Sequence, residues 1–276
     1  MHLILLDINN LLCRAYFSNP KLQISGAEVG AIYGLASYVQ SLIRMLNPTH
    51  IAFVRDLGGK TWRHFLYPLY KAQRAQTEDD LRAQFKFIPI LARYLDINLV
   101  DMEGFEADDC IATLAHQAYH LSQRCHTTII SSDKDLFQLL SAKLHIYNPH
   151  AKKIQTIKDI EVKYEIPFNR FIDYFTLVGD ASDNLPGVQG IGPKTALQIL
   201  QKCDNLDHLD EFLHHFTPAI SRKLSNKGVQ ISLMRRLLLL DRDVKLRIPF
   251  CLSNITYFQW HGEKDISMPV FEGLLT

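Results

Sequence analysis

Nine acidic residues carry most of the chemistry that this chain offers: Asp7, Asp56, Glu106, Asp108, Asp109, Asp133, Asp135, Asp180 and Asp183. Most stand where an apolar run ends or a helix begins, in LILLDI, IAFVRD, EGFEADD, TTIISSDKD and TLVGDASDN. Carboxylates gathered at strand ends hold hard divalent cations through oxygen ligands, and when packed together they repel one another unless metal or protons neutralise them. One acid in such a place is most often a cap or a solvated charge. Nine in similar places predict a metal-dependent enzyme acting on phosphate esters. Glu106 and Asp109 lie three apart on one face of a helix start, and Asp108 converges with them if Glu106 is the cap. Asp133 and Asp135 leave a strand two residues apart, on one side while the chain stays extended. Asp180 and Asp183 repeat the three-residue spacing at another helix start.

Other chemistries find less support. His116 and His120 are spaced i,i+4, but no Glu follows the first, so the zinc-protease pattern is missing and the pair reads as a surface feature. There is no GxSxG elbow and no GKS or GKT phosphate loop. Ser131 and Ser132 precede Asp133 with no His close in sequence. Cys13, Cys110, Cys125, Cys203 and Cys251 form no CxxC pair and read as buried thiols of a reducing compartment. The apolar start HLILL is broken by Asp7, too soon for a signal sequence or a membrane span, which predicts a cytoplasmic protein with no membrane partner.

The elements that must position these acids alternate. HLILLDI, THIAFVRD, INLVDM, HTTIISSD and KLHIYN read as strands. VGAIYGLASYVQSLIRML, the stretch from Leu81 to Tyr94, and EADDCIATLAHQAYHL read as helices. Alternation implies a mostly parallel sheet with helices on both faces, and ligands at the carboxyl ends of its strands. Asp7, Asp56, Glu106 and Asp133 fall there. From about Ile157 the pattern turns helical, through DIEVKYEI, FNRFIDYFTLV, GVQGIGPKTALQIL and the basic helices after Thr217. The formal net charge is only +1, yet bases concentrate locally. Arg222, Lys223, Lys227, Arg235, Arg236, Arg242, Lys245 and Arg247 make one stretch, and Arg55, Lys60, Arg63, Lys71 and Arg74 another. Such stretches suit a phosphate-backbone track or are simply solvated helix faces.

Gly187, Gly190 and Gly192 precede a helix bearing Lys194. The segment follows helical sequence and its glycine spacing is reversed, so it is not the dinucleotide fingerprint. A glycine-rich hairpin between two helices presents N–H groups and a helix N-terminus to a phosphate, gripping duplex DNA without reading its sequence. The alternative is a plain helix–helix turn.

The motifs LLDINNLLCRAYF, GAIYG, PTHIAFVRDLGGKTWRH, YKAQR, EADD, SSDKDLFQLL, GDASDNLPGVQGIGPKTA and FEGLL stand in one order along the chain. In these the chain resembles the 5′ nuclease, or flap endonuclease, family, and most closely the 5′-3′ exonuclease domain at the N-terminus of bacterial DNA polymerase I. The resemblance runs from Leu3 to at least Leu240, and with no polymerase sequence following it implies a free-standing nuclease. It implies an α/β, PIN-like nuclease core over residues 1–155, with a helical arch at about 65–90. A helical DNA-binding region over 156–276 would contain a helix-hairpin-helix at about 180–202. It implies two Mg²⁺ or Mn²⁺ ions: Asp7, Asp56, Glu106 and Asp108 mainly at one, Asp135, Asp180 and Asp183 at the other, Asp109 and Asp133 near both. K⁺ is a further candidate cofactor at the hairpin. Lys71 and Arg74 match catalytic positions, and Arg63 and Arg14 are further basic matches for DNA binding. Tyr70 either stacks on an unpaired base or packs in the core. Gly187, Gly190, Gly192 and Lys194 would bind DNA.

Two departures stand out: Asp7-Ile8 where the family has Asp-Gly, a position where Ile resists φ > 0, and RAQTED where its arch carries prolines. The implied activity is metal-dependent hydrolysis of DNA at 5′ ends and 5′ flaps by a monomer, in replication or repair, on branched duplex or single-stranded 5′ ends. The rivals are a PIN-like ribonuclease, which would not need the glycine hairpin, and a catalytically weak DNA-structure-binding protein.

Overall fold

The computed structural model describes residues 1–19, 21–122, 124–267 and 271–273. Leu274 and Leu275 of the FEGLL match lie outside them. The chain forms two compact units, each discontinuous in sequence. One combines Met1–Gly59, Gln76–Gln155 and Asp241–Thr276; the other combines Lys60–Ala75 and Thr156–Leu240. This differs from a simple division at residue 155: Lys60–Ala75 joins the second unit, a boundary at Ala75/Gln76 divides the segment expected to form the arch, and the C-terminal segment rejoins the first unit.

The first unit is built on eight strands: β1 (His2–Asp7), β2 (Gln23–Ile24), β3 (Ala27–Glu28), β4 (His50–Val54), β5 (Asn98–Val100), β6 (His126–Ile130), β7 (Leu144–Asn148) and β8 (Lys153–Gln155). β2 and β3 make a separate two-stranded ribbon, and the main sheet has the order β5-β4-β1-β6-β7-β8. All its pairs are parallel except β7–β8. β1 is central, so its run Leu3–Asp7 is buried throughout rather than alternating. Neighbours β4 and β6 flank β1, and the connections leave it in opposite directions, which makes the β1/β6 gap a topological switch point. Register aligns Asp7 with Val54 and Leu6 with Ile130. Asp56 and Asp133 therefore leave the sheet at the same edge as Asp7.

The strand ends run into helices. Asp7 caps Ile8–Ser18, a helix that the sequence reading left unassigned, with Ile8, Leu11, Leu12 and Ala15 on its buried face. Ile8 is thus helical, and the Asp-Ile departure needs no positive φ. Gly30–Leu46 ends on Asn47 in the left-handed region. Its first turn is closed by the buried Gln84, whose Oε1 accepts from the N–H groups of Ala31 and Ile32. The stretch read as one helix from Leu81 to Tyr94 is three pieces, Asp79–Gln84, a 3₁₀ turn Phe85–Phe87 and Ile88–Leu95. Pro89 in the first turn of the last piece, lacking an N–H, explains the break. Edge strand β8 was not anticipated; Asn148 accepts from the N–H groups of His150 and Ala151, and Lys152 at φ 51 completes the turn into it.

The second unit is helical: Trp62–Leu66, Ile157–Tyr164, Phe171–Val178, Pro193–Lys202, Leu209–Phe212, Pro218–Leu224 and Gly228–Leu238. Tyr70, Leu185, Met234, Leu237 and Leu238 share one of its cores. Residues 67–78 of the expected arch are not helical. Among the described residues no helix is long and apolar enough to cross a membrane.

Candidate functional site

In the α/β unit the sheet edge gathers seven of the acids. Asp7 is only 5% exposed. Its Oδ1 accepts from the Asn10 N–H at 3.1 Å and its Oδ2 from the Ser131 hydroxyl at 2.8 Å. Burial pushes its carboxyl up to about 7, the two hydrogen bonds pull down, and the negative charges of Asp56 and Asp133 push up further. Asp56 accepts from Ala107 N–H at 2.7 Å, tying the end of β4 to the helix Ala107–Leu121. Glu106 is the N-cap of that helix in a capping box with Asp109, so the condition for Asp108 to share this edge is met. Asp108, in the first turn, is half-buried. Asp109 is fully buried, and its oxygens accept from the N–H groups of Glu106 at 3.3 Å and Asp241 at 2.9 Å.

Asp133 and Asp135 do not lie along extended chain. β6 ends at Ile130, and Asp133 Oδ1 accepts from the Asp135 N–H at 2.9 Å at the entry to a 3₁₀ turn. The correction follows from side-chain capping, which competes with strand continuation at Asp.

Residues that sequence reasoning did not assign hold these acids. Asn9 Oδ1 accepts from the Asp56 N–H, and Asn10 Oδ1 from the Ser132 N–H and hydroxyl. Ser131 Oγ accepts from the Asp133 N–H while donating to Asp7. The signal was the pairing of amide and hydroxyl doublets, INN and SSD, beside strand-end acids.

The helical unit has its own acidic group. Asp180 Oδ1 accepts from the N–H and hydroxyl of Ser182 at 3.0 and 2.6 Å, capping the turn Ala181–Asp183. Asp183 Oδ1 meets Arg74 Nη2 at 2.7 Å, and its Oδ2 accepts from the Tyr70 hydroxyl at 2.9 Å with Lys71 Nζ at 3.8 Å. Backbone ties fasten the two segments: the Lys71 N–H donates to Asp183 O, Gln73 to Ala181 O and Asn184 to Leu69 O.

Two expectations are corrected here. Tyr70 is 3% exposed with its hydroxyl on Asp183, so it is a packed, positioning side chain rather than a platform for a base. Arg63 is 1% exposed, its guanidinium over the Trp62 ring and donating to the carbonyls of Leu237 and Leu239. It closes the end of Gly228–Leu238 and is out of reach of a DNA strand. Arg14 lies in the other unit, 4.7 Å from the centre of the Tyr38 ring.

The glycine segment joins Phe171–Val178 to Pro193–Lys202. Gly187 has φ 61, and a Cβ there would stand 2.4 Å from the Gly179 nitrogen, so only glycine fits. Gly190 O accepts from Lys223 Nζ at 2.7 Å and Gly187 O from Gln230 Nε2 at 2.6 Å. Gly192 is the N-cap of a helix opening with Pro193 and the exposed Lys194. Much of the basic stretch serves the fold: Arg235 pairs with Asp207 and Asp173, and Arg236 covers Trp62.

Residues 2–166 match the family described as 5′-3′ exonuclease, N-terminal resolvase-like domain, and residues 166–261 that described as 5′-3′ exonuclease, C-terminal SAM fold. A 5′-3′ exonuclease of Aquifex aeolicus is 34% identical over 255 residues, 90% of this chain and 87% of that protein. DNA polymerase I of Rhizobium leguminosarum is 36% identical over 89% of this chain but 25% of the polymerase, so the chain spans about a quarter of that relative. The fold is also that of the bacteriophage T5 5′-exonuclease, solved with bound zinc, with a TM-score of 0.74, 22% identity and coverage of 100% of this chain and 98% of that one.

Proposed function

The chain belongs to the 5′-3′ exonuclease family, and on that premise we propose that it is a metal-dependent nuclease hydrolysing DNA phosphodiesters at 5′ ends and 5′ flaps, leaving a 5′-phosphate. The observation that carries the proposal is Asp7. A carboxyl buried beside two other acids, with one N–H and one hydroxyl as its donors, is an arrangement that a cation relieves. The donors are oxygens, which favours Mg²⁺ or Mn²⁺ over softer ions. In this reading Asp7, Asp56, Glu106, Asp108, Asp133 and Asp135 are metal ligands of the α/β unit, and Asp180 and Asp183 are metal ligands of the helical unit. Asp109 acts through Glu106, whose backbone it holds. When bound, such ions lower the pKa of water and stabilise the leaving oxygen.

The remaining roles belong to the chain. Lys71 and Arg74, held on one carboxylate, are aimed to take up the charge of a scissile phosphate. Tyr70 fixes Asp183 between them. The N–H groups around Gly187, Gly190 and Gly192, together with Lys194, hold the duplex backbone, and Arg14 is a further phosphate contact. A K⁺ at the hairpin would rely on other loop oxygens, because the Gly187 and Gly190 carbonyls already accept from Gln230 and Lys223. The protein acts as a monomer in the cytoplasm, on ends and flaps arising in replication or repair.

A 5′-labelled flap duplex tests this, with wild-type protein and Asp133→Asn, with and without Mg²⁺. The wild type is expected to cut only with the ion, and the variant to bind without cutting. Wild-type binding with no cleavage in Mg²⁺ or Mn²⁺ would overturn the reading.

A further inference from the structure

A second group of metal-binding side chains lies away from the acids, on the same helix Ala107–Leu121. His116 and His120 are one turn apart, and their Nε2 atoms stand 3.0 Å from each other. Two imidazoles at that distance share a proton, one ring donating and the other offering a lone pair. Burial, the neighbouring His120 and the positive charge of Arg242 hold His116 below its ordinary value, which favours the neutral ring that can ligate. Both rings line a cavity of about 370 Å³ floored by Ala112, Ala115 and Leu144.

We propose that His116 and His120 form a binding site for one borderline divalent ion of the Zn²⁺ type, distinct in chemistry from the carboxylate centre. Tetrahedral zinc with Zn–N of about 2.0–2.1 Å places two nitrogens about 3.3 Å apart, a few tenths from the separation seen. Whichever ring carries the shared proton moves it from Nε2 to Nδ1, and the ion takes the place of that proton. The cavity leaves the other coordination positions open to solvent. The charges around it are committed elsewhere: Arg242 donates to Gln138 O, Lys143 lies over the Tyr119 ring, and Asp243 pairs with Lys245. Water fills the open positions. Mg²⁺, which prefers oxygen ligands, does not compete.

The test is a Zn²⁺ titration of the whole protein by chelator competition, in excess Mg²⁺. Wild type is expected to take up one Zn²⁺ whose affinity falls at least about tenfold in both His116→Ala and His120→Ala. Circular dichroism of the variants checks their folding. Independently of the variants, ¹⁵N shifts of the His116 and His120 rings are expected to move on Zn²⁺ addition to wild type. Equal Zn²⁺ affinity in the variants, no uptake by wild type, or ring shifts confined to other histidines would overturn the site.

Discussion

Replacing Asp7 by Asn removes the buried charge at the sheet edge while keeping most of its hydrogen bonds, since the amide oxygen still accepts from Asn10 and the Ser131 hydroxyl can turn to accept. The wild-type carboxyl titrates near 7 in the fold against 3.8 in an unfolded chain, chiefly because it is buried. A raised folded value means that the neutral form is the one that the fold tolerates. Its contribution is intact below pH 3.8 and is lost as pH rises through about 7. Linkage makes the penalty roughly 2 kcal/mol at pH 5 and roughly 4 kcal/mol at pH 8. Urea unfolding in EDTA is therefore expected to show Asp7→Asn gaining on wild type by roughly 2–3 kcal/mol between those two pH values. Adding Mg²⁺ at pH 8 is expected to narrow the gap, stabilising wild type by about 2.7 kcal/mol at a hundred times its dissociation constant and the variant far less. Parallel stability curves for the two proteins from pH 5 to pH 8 in EDTA would refute the argument, because nothing else removed by the substitution titrates in that range.

Arg63→Ala leaves the carbonyls of Leu237 and Leu239 without their donors and opens space beside Trp62, so unfolding in urea is expected to show a loss of roughly 3 kcal/mol. A variant as stable as wild type but weaker on DNA would restore a substrate role for this arginine. Tyr70→Phe removes one donor from Asp183 and is expected to cost about 1 kcal/mol and to slow flap cleavage with DNA affinity unchanged. Weakened binding at unchanged stability would instead support base stacking.

The parts of this protein legible in its sequence are those fixed by period and by charge. HLILLDI and THIAFVRD are continuous apolar runs because the parallel sheet buries both their faces, and the acids mark strand ends because the register brings those ends to one edge. The helix Ile8–Ser18 escaped notice because its opening, INN, carries polar residues that serve the site rather than the helix. Asp133 and Asp135 were placed on extended chain because spacing alone does not show that one caps the other. Sequence assigns Arg63 to substrate and leaves Tyr70 between substrate and core, because side-chain chemistry does not reveal burial. Both sit among bases in sequence, yet the guanidinium and the phenol each found an internal acceptor.

The compact units do not follow a single division near residue 155, and the reason is physical. Asp241 holds Asp109, Val244 N–H donates to the Thr113 hydroxyl, and Phe250 N–H to Gln117, so the C-terminal segment closes the helix that carries Glu106, Asp108 and Asp109. Phe271 packs edge-on to Tyr33 in another core of the same unit. In the helical unit Lys60–Ala75 supplies Arg63 to one helix end and Tyr70, Lys71 and Arg74 to Asp183. Each unit thus completes its acidic group with residues more than a hundred positions away, contacts whose loop-closure entropy must be offset by burial. Composition and period report on neighbours in sequence; such closures are invisible to them. The acids could be found one by one, but what holds each acid in place is supplied by a distant part of the chain.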